Sequence, residues 1–150
     1  MLKKMFAAVA FAAALGACET LPGSGGDAAT AFDPAACYER EFNVYFDGAD
    51  ATLSPEAREA INAVGTALRG CRIDGVRIIG MADAALEAEI SEEISEQRAR
   101  VIRDYLEAEF RWDHEKFELR ARGDRGAVTE EGLARPLRSR ARVVATASAP

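Results

Sequence analysis

The chain has 150 residues, 49% apolar and only 7% aromatic, enough to fill one ordinary core and a length that fits one domain. A net charge of −6 and an isoelectric point near 4.9 argue against a nucleic-acid binder, which needs a basic face for phosphates. With one His and three Cys in no metal-ligand spacing, a structural zinc site is not expected and no cofactor is implied.

Residues 1–18 read MLKKMFAAVAFAAALGAC. Lys3 and Lys4 form a positive start, and an apolar run of 11 residues extends from position 5 to 15. A membrane-crossing helix needs roughly 20 apolar residues, so this run is too short to span and has the length of a signal peptide. Its end, Leu15-Gly16-Ala17-Cys18, resembles a bacterial lipobox. The resemblance implies a signal peptide over 1–17, cleavage before Cys18, and acylation of Cys18 with palmitate-type chains. Each buried methylene contributes about 0.8 kcal/mol, so two or three chains hold a small domain stably on a bilayer. Glu19 stands where Asp favours inner-membrane retention in enteric bacteria, which points to an outer-membrane anchor with the domain in the periplasm.

Residues 18–36 are read as the lipidated Cys followed by a flexible linker. Gly, Ser, Pro, Asp and Ala dominate there without helical or strand period, and such a coil spans roughly 25 Å. With Cys18 acylated, Cys37 and Cys71 remain as an even pair in an exported, oxidising setting. Cys37 precedes the first predicted strand and Cys71 follows the first predicted helix, and a helix running back along its strand brings those ends together. A disulfide would close about 35 residues and stabilise by roughly 3–4 kcal/mol. The alternative is two buried free thiols.

Residues 41–46 alternate Phe42, Val44 and Phe46 with more polar positions and predict a strand with one buried face. Ser54-Pro55-Glu56 is a helix start, with Ser as cap, Pro in the first turn and Glu at the positive dipole end. Ala57, Ala60, Ile61, Val64 and Leu68 then recur at helical spacing, and Gly70 suits the stop. Residues 76–80 predict a short second strand. Residues 91–110 predict a long helix with Ile94, Val101, Ile102, Tyr105 and Leu106 on its inner stripe. His114 follows in a Trp112-to-Lys116 stretch, but no Ser or Cys elbow motif accompanies it, so a surface loop and no enzyme are expected. Phe117, Leu119 and Ala121 predict a third strand and residues 141–146 a fourth. The order β-α-β-α-β-β over residues 37–147 predicts an α+β two-layer sandwich, with two helices on one face of a small mixed sheet.

Three segments together resemble the OmpA-like domain family, which includes the peptidoglycan-associated lipoproteins. Residues 44–56, VYFDGADATLSPE, are similar to the family's "YFDFD…L.PE" passage from strand to helix. Ile79-Gly80-Met81-Ala82-Asp83 stands in the place of "GHTD" or "GYTD". Residues 94–101, ISEQRARV, with Tyr105-Leu106, are similar to "LS..RA..V..YL", and no gap is needed from Ala82 to Ser95. The resemblance covers about residues 40–147.

The resemblance implies non-covalent binding of the diaminopimelate-containing stem peptide of peptidoglycan, linking outer membrane to cell wall. The matching positions are Asp83 and Arg98, with Arg142 added by Arg140-Ala141-Arg142-Val143, which is similar to "NRRVEI". A free amino-acid terminus suits such a pair, since Arg offers a rigid charged fork to its carboxylate and Asp takes its ammonium. Asp83 is expected just beyond a strand and Arg98 one turn inside the next helix, sharing a notch. An ordinary Asp–Arg ion pair locking loop to helix is the plainer reading of the same residues. The sequence also departs from the family, with Met81 for an aromatic or His, Ala82 for Thr and Ser91 for Asn. Glu87, Glu89, Glu92 and Glu93 crowd the region and repel a ligand carboxylate within a screening length of about 8–10 Å. The alternative function is a divergent scaffold that binds an envelope protein partner with weak or no peptidoglycan affinity.

Overall fold

The computed structural model describes residues 32–83, 86–134 and 139–150. The expected signal peptide, Cys18 and the linker up to residue 31 lie outside the described residues. The compact unit spans Phe32–Pro150. Asp33 accepts a hydrogen bond from the Ala35 N–H at 2.9 Å and caps one 3-10 turn, Pro34–Ala36. The Phe32 ring packs against Gly70.

The elements are β1 (Arg40–Tyr45), α1 (Pro55–Ala67), β2 (Arg72–Gly80), α2 (Ala88–Phe110), β3 (Phe117–Ala121) and β4 (Arg140–Ser148). The sheet order is β1-β4-β2-β3. β4 is antiparallel to both its neighbours, and β2 and β3 pair in parallel. A parallel pair needs a crossover rather than a hairpin, and α2 supplies it. This is the α+β fold with two helices and a mixed sheet that the sequence predicts.

Alternation decides which side chains meet the helices. Val44 of β1, Val76 and Ile78 of β2, and Ala141, Val143, Ala145 and Ala147 of β4 are buried with Ala57 and Ile61 of α1 and Ala99, Ile102 and Leu106 of α2. Ser54 caps α1 as expected, accepting from the Ala57 N–H at 3.1 Å, with Pro55 at the first position. Cys37 and Cys71 form the expected disulfide, with their Cα atoms 5.6 Å apart.

Two boundaries differ. β2 begins at Arg72 rather than at 76, because an irregularity between Ile73 and Gly75 breaks the apolar pattern while the pairing with β4 continues. α2 begins at Ala88 rather than at 91, so Arg98 lies nearly three turns inside the helix, not the one turn expected, which falls short even of the roughly two turns counted from 91. The fully buried line of α2 runs through Ser91, Ser95, Arg98, Ala99, Ile102 and Leu106, with Ile94, Val101 and Tyr105 only half-buried beside it.

Candidate functional site

β2 ends against α2 with no room to spare. A β-carbon on Gly80 would overlap the Ser95 carbonyl oxygen, so only glycine lets strand and helix approach this closely. Past Gly80 the chain is held on both sides: the Met81 N–H donates to the Arg140 carbonyl at 2.9 Å and the Ala82 N–H to the Gly123 carbonyl at 2.8 Å. The Ser95 hydroxyl accepts from the Gly123 N–H at 3.0 Å and donates to the Glu92 carbonyl at 2.8 Å. Backbone and helix thereby fix the direction in which Asp83 leaves the strand.

The loop from β1 to α1 forms the facing wall. Gly48 takes a positive φ of 52°, and the Asp50 N–H donates to the Asp47 carbonyl at 3.1 Å. The Asp50 carboxylate accepts from both the N–H and the hydroxyl of Thr52 at 2.8 Å. Those bonds, the hydroxyl's first, hold its pKa below the ordinary aspartate value.

Arg98 joins the two walls. It is fully buried, and its guanidinium donates to the carbonyls of Asp50 (2.8 Å), Met81 (2.7 Å) and Gly48 (2.6 Å). Its charge also lies 5.0 Å from the centre of the Phe46 ring. Among the described residues no carboxylate forms an ion pair with it. Burial pulls its pKa below the usual arginine value, and the carboxylates of Asp83 and Asp50 partly oppose that shift.

Asp83 is half-buried and accepts a hydrogen bond from the Ser139 hydroxyl, whose oxygen is also 3.2 Å from the Gly48 carbonyl. Asp83 and Arg98 are therefore brought to one place without touching. The Gly48 carbonyl and the Ser139 hydroxyl stand between them, and the direct Asp–Arg ion pair does not form. Ser139 has no motif in the sequence to announce it, and the three carbonyl acceptors of Arg98 carry no side-chain signature at all.

Arg142 is set apart from this pair. Strand alternation turns it to the open face of the sheet, away from the helices, where it donates to Glu41 of β1 at 2.6 Å. That bond, with the Glu41 charge, raises its pKa. The departures at Met81, Ala82 and Ser91 fall on buried side chains, the Ser91 hydroxyl lacking a hydrogen-bond partner among the described residues. The hydroxyl missing at Ala82 is thus missing from the interior, not from an exposed surface. Glu87, Glu89, Glu92 and Glu93 are exposed. His114 is exposed, with Nδ1 2.7 Å from Glu107 Oε1. Among the described residues no group of three or more His, Cys, Asp or Glu could hold a metal ion, and no helix is long and apolar enough to cross a membrane.

The family model described as OmpA matches residues 45–142, from the last residue of β1 into β4. The chain belongs to the OmpA family. No curated protein matches it in sequence. Among solved structures, this OmpA-family domain is similar to the OmpA-like domain of FopA1 from Francisella tularensis subsp. tularensis SCHU S4, at 18% identity and a TM-score of 0.61 over 73% of this chain and 74% of that one. It is similar to the peptidoglycan-associated lipoprotein from Burkholderia pseudomallei, at 20% identity and a TM-score of 0.56 over 69% and 89% of the two chains. The cell wall anchor of the T6SS from Pseudomonas aeruginosa gives 22% and 0.57 over 74% and 83%. At these identities the likeness is one of fold.

Proposed function

We propose that this OmpA-family domain binds peptidoglycan non-covalently, as a lipoprotein of the peptidoglycan-associated type held on the outer membrane by acylated Cys18. The observation that carries the reading is Arg98, a buried cation whose hydrogen bonds among the described residues all go to neutral carbonyls, beside a half-exposed Asp83. A buried charge without a contacting counter-charge is costly, and a ligand carboxylate would supply one. Among the described residues Arg98 uses three of the five N–H donors a guanidinium has, and a ligand carboxylate would take the other two. Because Arg98 is buried, such contact requires the loop around Gly48 and Asp50 to yield. Asp83 takes the neighbouring ammonium. Arg142, engaged by Glu41 on the open face, contributes only at longer range.

The names of two similar structures, a peptidoglycan-associated lipoprotein and a cell wall anchor, support the same reading. Sedimentation with purified peptidoglycan sacculi tests it: the wild type pellets and a folded Asp83→Ala variant stays in the supernatant. A folded wild type that never pellets would favour the scaffold with an envelope protein partner. Palmitate labelling of the wild type, lost in Cys18→Ser, tests the anchor.

A further inference from the structure

We infer that Ser139 is a positioning residue for ligand recognition, aiming the Asp83 carboxylate; the inference rests on the peptidoglycan-binding reading above. Ser139 sits directly before β4, and two bonds fix it from different sides. Its carbonyl accepts from the Phe46 N–H at 2.8 Å, which ties its backbone to the end of β1. Its hydroxyl donates to Asp83, which lies 56 residues earlier in the chain.

The hydroxyl has one proton and two acceptors within reach, the Asp83 carboxylate and the Gly48 carbonyl. The charged oxygen makes the stronger bond and takes the proton. The Gly48 carbonyl already accepts from Arg98 through one of its two lone pairs, so it does not depend on the Ser139 proton, which stays with Asp83. One carboxylate oxygen is then fixed by Ser139, and the other remains to accept an ammonium. An Asp on a loop without this partner would sample several rotamers and lose that orientation on average.

The chemistry assigned to Ser139 concerns the ammonium half of the ligand alone. Removing the hydroxyl should therefore weaken binding of an amine-bearing probe more than of the same probe with its amine blocked. The experiment is calorimetric titration of the folded chain with meso-diaminopimelate and with its N,N′-diacetyl derivative, in which both amines are blocked. It compares wild type, Ser139→Ala, Ser139→Thr, Asp83→Ala and the Ser139→Ala/Asp83→Ala double variant, with melting temperatures recorded for all.

Ser139→Ala is expected to lose about tenfold in affinity for the free amine, the scale of one charge-assisted hydrogen bond. It should keep its affinity for the blocked form, and Ser139→Thr should restore the loss. The double variant should bind as Asp83→Ala alone does, since Ser139 acts through Asp83. Equal losses for both probes, or losses that multiply in the double variant, would overturn the inference while leaving the peptidoglycan reading intact. A wild type that binds neither diaminopimelate nor sacculi overturns that reading, and the role of Ser139 with it.

Discussion

Gly80 and Ser95 approach so closely that a β-carbon on the first would overlap the carbonyl oxygen of the second. The obstacle is helix backbone, which cannot swing aside as a side chain can, and the contact sets the depth at which β2 docks on α2. Gly75, in the same strand, has nothing within 4 Å of the corresponding position. Gly80→Ala should therefore destabilise the domain by at least about 2 kcal/mol through overpacking, while Gly75→Ala stays within about 0.5 kcal/mol of wild type. Urea unfolding of the two variants checks the contrast, and equal midpoints would contradict the packing described.

The Cys37–Cys71 bridge ties the turn before β1 to the segment between α1 and β2, with a separation of 34 residues. Closing that loop in the unfolded chain should stabilise the native state by roughly 3–4 kcal/mol. Reduction, or Cys37→Ser with Cys71→Ser, is expected to lower the unfolding free energy by that amount. Peptide mapping after alkylation, with and without reductant, checks the bridge in the purified protein.

The parts of this fold that follow side-chain alternation are legible in the sequence. Phe42, Val44 and Phe46 mark one strand face and Ser54-Pro55 marks one helix start, while Cys37 and Cys71 sit at the two ends that a helix running back along its strand brings together. The start of α2 is hidden because its first buried positions are Ser91, Ser95 and Arg98, which an apolar stripe does not register. Arg98 shows the same difficulty at the site. Its position follows from the family resemblance, but its partners are backbone carbonyls of Gly48, Asp50 and Met81, and no residue type encodes a carbonyl. The link from Asp83 to Ser139 depends on how β4 enters between β1 and β2, which is a property of topology rather than of any local pattern.

Arg98 and Asp83 should separate stability from binding. Arg98→Ala removes a buried side chain and leaves three carbonyls to find other partners, so a loss of about 3 kcal/mol or more is expected. Arg98→Lys should recover only part of this, since one ammonium cannot reproduce the planar three-way arrangement. Asp83→Ala, at a half-buried loop position, should stay within about 1 kcal/mol of wild type while losing binding. Chemical denaturation beside sacculus sedimentation reads both quantities. An Asp83→Ala variant that is folded and still pellets fully would remove Asp83 from the site.

Asp50 supplies an acid-sensitive element in the loop that Arg98 holds. Thr52 keeps its carboxyl below the ordinary aspartate pKa in the folded chain. A lowered folded value means that the contribution is complete above the unfolded pKa of about 4 and is lost as pH falls through the folded value. The difference in melting temperature between wild type and Asp50→Ala should therefore be constant near neutrality and shrink below about pH 4. A difference that stays unchanged into strong acid would show that the Asp50–Thr52 bonds do not depend on the ionised carboxylate.

The exposed acidic residues at the start of α2 should oppose the binding that Arg98 favours. Glu87, Glu89 and Glu93 carry three negative charges at the helix end that a ligand carboxylate would approach. Glu92 is better left unchanged, because its carboxylate pairs with Arg125 at 3.4 Å and packs against Gly123. Negative charge at a helix N-terminus is favourable within the first turn, so replacing Glu87 and Glu89 by Gln should cost about 0.3–1 kcal/mol of stability each, and replacing Glu93, beyond that turn, little. Affinity should move the other way. The triple Gln variant is expected to bind sacculi a few-fold more tightly at low ionic strength, and the gain should fade near 1 M salt, where the screening length is about 3 Å. The same substitutions in Arg98→Lys, which keeps the charge but loses the fork, should tighten whatever binding remains by a similar factor, because repulsion acts on the ligand rather than through Arg98. Affinity unchanged at low salt would show that the carboxylates lie too far from the bound ligand to repel it.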